Sequence, residues 1–136
     1  METITDDRAR RILESLSDSE RGRIQGYIDL FVKNKFLLRG KYLKKLKNSL
    51  WELRPGNIRV LFGIVDQNMV IVNIFKKKTQ KTPKQEIKIA ENRLRERKIR
   101  RKQNGLHIQI GMTLKANGRK IQNLFGLMKS FNLNLL

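Results

Sequence analysis

Cysteine is missing from this 136-residue chain, which removes disulfides, thiolate metal sites and a cysteine nucleophile from consideration. Histidine occurs once, at His107, so two histidines cannot divide acid and base roles as in one familiar ribonuclease mechanism. Carboxylates are few and scattered. Asp6, Asp7, Asp18, Asp29 and Asp66 fall on different segments, whereas a metal-dependent nuclease needs them convergent. No metal and no cofactor are therefore expected. No apolar run approaches the roughly 20 residues that span a bilayer. Glu2, Asp6 and Asp7 give the start of the chain the wrong charge for a secretory signal. These absences predict a cytoplasmic protein that does not enter a membrane.

What is plentiful is positive charge: 31 Lys and Arg against 12 acidic residues, a net +19. Such an excess strains a compact state through self-repulsion and points to a polyanionic partner. Nucleic acid is the first candidate, an acidic protein the second and a membrane surface the third.

The length suits one domain with a modest core. Ala9, Ile12, Leu13 and Leu16 form one helical stripe over residues 5–16, and Ile24, Tyr27, Ile28 and Phe31 repeat it up to about Lys33. Between them Ser17 and Glu20 have capping-box spacing, which predicts an antiparallel helical hairpin. Residues 34–49 are basic and weakly periodic, with room for a short edge strand. Three extended segments follow: Leu50–Arg54, Ile58–Val65 and Met69–Phe75, separated by turns at Pro55-Gly56-Asn57 and Asp66-Gln67-Asn68. Trp51 and Phe62 belong in the core by their alternation. A third helix is expected from Pro83, capped by Thr82, with Ile87, Ala90 and Leu94 on its apolar face, ending near residue 101. The predicted class is α+β: a helical hairpin, a three- to four-stranded antiparallel sheet and a closing helix.

Residues 1–102 make up that domain, and 103–136 form an atypical basic tail, disordered or partly helical. No acidic residue follows Glu96, and Gly105, Gly111, Gly118 and Gly126 recur at intervals too short for long helices. Ile121, Leu124, Phe125 and Met128 have the spacing of one short amphipathic helix.

Two stretches carry candidate chemistry. Lys76, Lys77, Lys78 and Lys81 stand between a buried strand and a helix start, where free amides and the helix dipole favour phosphate. The plain alternative is a solvated basic connection. Arg54 and Arg59 flank the first turn, and a guanidinium there suits a phosphate or the charge that builds up as an RNA backbone is attacked. Its plain alternative is a surface ion pair with Glu52, worth at most about 1 kcal/mol. Tyr42, beside Lys41 and Lys44, is the better candidate for stacking on a base.

Lys44-Lys45-Leu46-Lys47, Leu50-Trp51-Glu52-Leu53-Arg54, Arg59-Val60-Leu61-Phe62 and Phe75-Lys76-Lys77-Lys78-Thr79-Gln80-Lys81-Thr82-Pro83 occur in that order. The set resembles the phage-derived branch of the RelE/ParE toxin superfamily, which includes HigB-like toxins, over roughly residues 5–100. The resemblance implies the fold derived above and the toxin of a type II toxin–antitoxin pair, acting as a metal-independent mRNA endonuclease on the ribosome. It implies Arg54, Arg59 and Lys77 as catalytic residues, and Lys44, Lys45, Lys76, Lys78 and Lys81 as RNA phosphate contacts. The implied partners are the ribosome, mRNA and a cognate antitoxin, often a helix-turn-helix protein. Against the family pattern, Phe62 stands where tyrosine is usual and Asn73-Ile74 where His-Gly is common. The strand that normally precedes the hairpin is expected to be absent. A catalytically inactive RNA-binding protein and a ParE-like gyrase inhibitor are the alternative functions.

Overall fold

The computed structural model describes residues 1–116, with side chains to Gly111. Its elements are β1 (Thr3–Thr5), α1 (Asp7–Ser15), α2 (Asp18–Asn34), β2 (Leu43–Lys47), β3 (Leu50–Leu53), β4 (Ile58–Val65), β5 (Asn68–Lys76) and α3 (Lys84–Ala116). One compact unit comprises Met1–Glu96, and a second begins at Arg97, within α3.

In the first unit the strands run β1-β5-β4-β3-β2, with β2 to β5 antiparallel and β1 parallel to β5. The helical hairpin is capped as expected: the Ser17 hydroxyl accepts from the Glu20 amide, and the Glu20 carboxylate accepts from the Ser17 amide. Alternation along the strands then sorts the core into two layers. Leu53, Val60, Phe62, Met69 and Ile71 meet Ala9, Ile24, Ile28 and Phe31 of the hairpin on one face. Leu50, Leu61, Val70 and Val72 meet Ala90 and Leu94 of α3 on the other. Burial on both faces explains why β4 and β5 read as nearly continuous apolar runs.

Two expectations are corrected here. The strand before the hairpin is present: Thr3, Ile4 and Thr5 pair with Met69, Val70 and Ile71, and the Asp6 amide donates to the Ile71 carbonyl at 2.8 Å. Three residues are too few for alternation to be visible in sequence. The third helix does not end near residue 101 but runs to Ala116 through Gly105 and Gly111. Each glycine weakens a helix by about 1 kcal/mol without forbidding it. The short helix predicted at Ile121, Leu124, Phe125 and Met128 lies outside the described residues.

At the junction of β1, α1 and α3, Asp6 caps α1 through the Arg8 amide and pairs with the Arg8 guanidinium at 2.9 Å. Arg8 also reaches Glu96 at 2.8 Å. Its hydrogen bond to Arg8, more than any other contact, holds the Asp6 carboxyl below the ordinary carboxylate range. A depressed carboxyl stabilises the fold above its unfolded value, near 3.8, and that contribution is lost as pH falls through the lower folded value. The midpoint of unfolding should therefore drop below about pH 4, and by less in Arg8→Gln, as chemical denaturation across that window would show.

Gly63 sets how closely α3 lies on the sheet. A Cβ there would sit 2.6 Å from Leu94 Cδ2 and 2.9 Å from the Ser49 carbonyl oxygen, which is backbone and cannot swing aside. Gly63→Ala should cost about 1–3 kcal/mol by overpacking, read as a lower denaturant midpoint at unchanged slope.

Candidate functional site

The polar residues of the sheet gather at one end of the α3 face. On β3, Glu52 shares the face of Leu50; on β4, Arg59 shares that of Leu61; on β5, Asn73 pairs with Leu61 and Phe75 with Arg59. Continuing the β3 alternation by one residue brings Arg54 to the same side. The turn that joins β3 to β4 is closed by the Ile58 amide donating to the Pro55 carbonyl at 3.0 Å, with Gly56 at φ 62°. That reversal sets Arg59 beside Glu52 and Arg54.

Glu52 is the hub. Its Oε1 lies 3.5 Å from Arg54 Nε and 3.7 Å from Arg59 Nε, and its Oε2 accepts from the Thr82 hydroxyl. Glu52 is only 1% exposed, so the surface ion pair weighed from the sequence is instead a buried one. The two arginines differ in depth. Arg59 is 7% exposed, and its Nη1 donates to the Gly56 and Ile58 carbonyls, both at 2.8 Å. Burial pulls its guanidinium below the ordinary value; the Glu52 charge opposes that shift and Arg54 adds to it. Arginine nonetheless stays charged in proteins. Arg54 is 30% exposed, and its Nε makes no hydrogen bond among the described residues. Arg59 is thus the floor of the cluster, and Arg54 the cation at its mouth.

Thr82 and Asn73 fasten α3 beside this cluster. Thr82 does not cap the helix as expected. Its hydroxyl is given to Glu52, and the amides of Glu86 and Ile87, in the first turn, donate to the Pro83 carbonyl. Pro83 therefore precedes the helix instead of opening it. Asn73 Nδ2 donates to Glu86 Oε2 at 2.6 Å and to the Glu86 carbonyl at 3.2 Å. The side chain standing where His-Gly is common therefore ties the sheet to the first turn of α3. Phe62, where tyrosine is usual, lies on the opposite face, fully buried with its ring 4.7 Å from Phe31. A hydroxyl at that position would enter the hairpin core and miss the arginines.

The lysines divide between the faces. Lys44 pairs with Glu52 across β2 and β3, so it shares the arginine face and is exposed. Lys45 lies on the other face, 5.4 Å over the Trp51 ring. Lys76 also turns to the hairpin, where it meets Glu20 Oε2 at 3.1 Å. Lys77 is anchored by its amide, which donates to the Asn57 carbonyl at 2.6 Å, and lies half-buried next to the β3–β4 turn. Lys78 and Lys81 are exposed in the connection to α3, where the Thr79 hydroxyl donates to the Lys81 carbonyl. Tyr42 packs on Tyr27, ring centroids 5.6 Å apart, and carries Lys41 Nζ 5.1 Å from its ring centroid. Sequence reasoning missed Thr82 as a member of the cluster, because the capping signature accounts for it equally well. Among the described residues no group of three or more His, Asp or Glu is placed to hold a metal, and no helix is long and apolar enough to cross a membrane.

Residues 11–95 match the model of the family described as phage derived protein Gp49-like (DUF891). The chain belongs to this family. The match begins within α1, spans α2, strands β2 to β5 and the sheet-covering part of α3, and so contains Glu52, Arg54, Arg59, Asn73 and Thr82. No curated protein matches the sequence. Among solved structures, a chain of the archaeal RelE-RelB complex from Pyrococcus horikoshii OT3 is 20% identical, with a TM-score of 0.50 over 59% of this chain and 97% of that one. The isolated RelE toxin of E. coli is 12% identical, with a TM-score of 0.48 over 59% and 87%. A chain of the YoeB-YefM complex from Staphylococcus aureus is 14% identical, with a TM-score of 0.48 over 58% and 98%. The fold of this Gp49-like protein is RelE-like, in agreement with the architecture derived from its sequence.

Proposed function

We propose that this Gp49-like protein is the toxin of a type II toxin–antitoxin pair, of the HigB-like kind, and that it cleaves mRNA on the ribosome without a metal. The observation that carries the reading is the Glu52-centred cluster. It holds two guanidinium groups side by side at one end of a sheet face, with Arg54 partly exposed, Lys44 in register with Glu52 on that face, and the Lys77 amide bonded to Asn57 in the β3–β4 turn. Such a cluster suits one reaction class. The ribose 2′-OH attacks the adjacent phosphorus as its proton is removed, a phosphorane forms with added negative charge, and the 5′-oxygen leaves and is protonated. Preorganised cations stabilise that charge without any metal. In this reading Arg54 and Lys77 meet that charge, with Arg59 strengthening the local field from below. Lys44, Lys78 and Lys81 are then phosphate contacts along the strand of RNA. Lys45 and Lys76 belong to the opposite face and bind, at most, a distant part of the ribosome.

The RelE-like fold supports an antitoxin as partner, since the archaeal chain it resembles was crystallised in a RelE-RelB complex. The +19 charge also favours an acidic companion. Cytoplasmic residence follows from this function.

Induced expression of the full chain, with growth and mRNA integrity followed together, tests the proposal. Growth arrest with mRNA cut inside translated regions is the expected result. Arrest with intact mRNA and DNA damage would move the reading to a gyrase inhibitor. Normal growth from folded protein that still binds RNA would leave an inactive binder.

A further inference from the structure

We propose that the stretch Arg97–Lys102 of α3 is a second RNA-binding surface, which grips the phosphodiester backbone and takes no part in cleavage. It lies outside the residues that match the family model. Five of its six residues are cationic: Arg97, Lys98, Arg100, Arg101 and Lys102. Glu96 is the last acidic residue of the chain, so nothing later in the sequence supplies a side-chain counter-charge.

Within a helix these cations stand next to one another. Arg97 with Arg100 and Arg101, and Lys98 with Arg101 and Lys102, are pairs three or four residues apart, each of which weakens the helix by repulsion. Gly105 and Gly111 weaken it further. Among the described residues no ion pair reaches Arg97, Lys98, Arg100 or Lys102. A polyanion laid along this helix would turn the repulsion into attraction.

The chemistry of the face selects a phosphate backbone over a protein. Arg97, Arg100, Arg101, Asn104, Gly105 and Ile108 line one pocket. Their spacing places them along a single side of the helix. Among the described residues, nothing lies within 4 Å of a Cβ placed on Gly105. A docking site for a partner helix would show apolar residues every three or four positions, but Arg97–Lys102 has only Ile99. Planar guanidinium groups match pairs of phosphate oxygens, and three of them follow one another on this side. The choice of RNA over another phosphodiester rests on the RNA-directed function proposed above.

The test is binding of an uncleavable 2′-O-methyl RNA by the full chain and by Arg97→Gln/Arg100→Gln, as a function of salt. Glutamine keeps helix propensity and removes charge, and circular dichroism verifies that the helix persists. Each phosphate contact on a single strand contributes about 0.7 to the slope of log affinity against log salt, so the double variant should lose about 1.4 and bind roughly tenfold more weakly near 0.1 M salt. Arg97→Lys/Arg100→Lys should retain most of the slope. Cleavage at saturating RNA should be unchanged in the glutamine variant. An unaltered slope would overturn the proposal, as would unaltered RNA affinity with loss of an acidic protein partner. Tighter binding of DNA of the same sequence, lost in the same variant, would overturn the choice of RNA. Full growth without mRNA cleavage, combined with the expected change in slope, would reject the endonuclease while the binding surface stands.

Discussion

Replacing Glu52 with alanine is expected to cost about 3–5 kcal/mol of stability, the largest effect of any single substitution in the sheet. Removing the carboxylate strands Arg59, which is 7% exposed and cannot reach water without disrupting the β3–β4 turn that its Nη1 holds. The Thr82 hydroxyl loses its acceptor at the same time. Arg54, nearly a third exposed, can turn outward and contributes little to the penalty. A stability of 5–15 kcal/mol is usual for a domain, so the variant should unfold at a much lower urea concentration and express poorly at 37 °C. The double variant Glu52→Met/Arg59→Met separates this account from simple loss of volume. Burying two apolar side chains in place of a buried pair is often neutral or better. The double variant should therefore recover most of the lost midpoint. A Glu52→Ala midpoint within 1 kcal/mol of the parent would show that the carboxylate anchors nothing.

That cluster also shows what can be read from the sequence and what cannot. Strand alternation is local, so the shared face of Glu52 and Arg54, and that of Arg59 with Leu61, were legible from residue spacing alone. The capping box at Ser17 and Glu20 was equally legible, because both of its hydrogen bonds lie within four residues. Burial of Glu52 was not legible. It depends on α3 arriving over the far side of the sheet and on Thr82, thirty residues away in the chain, supplying a hydroxyl. The division of the lysine run had the same origin. Lys76 pairs with Glu20 because β5 presents alternate residues to opposite helices, and only the register with Ile58 decides which. β1 was missed because three residues hold no period. The run of α3 beyond residue 101 was missed because glycine is a weak stop signal when no proline follows.

Arg54→Ala should leave the fold intact and slow RNA cleavage by about 10²–10³-fold, the usual cost of removing one preorganised donor from a site where negative charge develops. The two arginines separate in this experiment because their surroundings differ. Among the described residues Arg54 Nε makes no hydrogen bond, the side chain is 30% exposed, and its removal leaves Glu52 paired with Arg59, so truncation should change stability by no more than about 1 kcal/mol. Arg59→Ala removes a buried charge that satisfies two carbonyls and balances Glu52, and should lose stability and activity together. Arg54→Lys keeps the charge but not the planar fork, so an intermediate rate is expected if the guanidinium holds two phosphate oxygens. Single-turnover cleavage of ribosome-bound mRNA, measured beside thermal unfolding of the same preparations, reads both quantities. Cleavage by Arg54→Ala at the parental rate would remove Arg54 from the chemistry. A parental melting temperature with lost cleavage in Arg59→Ala would place the reacting phosphate deeper, on Arg59 itself, and make Arg54 the outer contact.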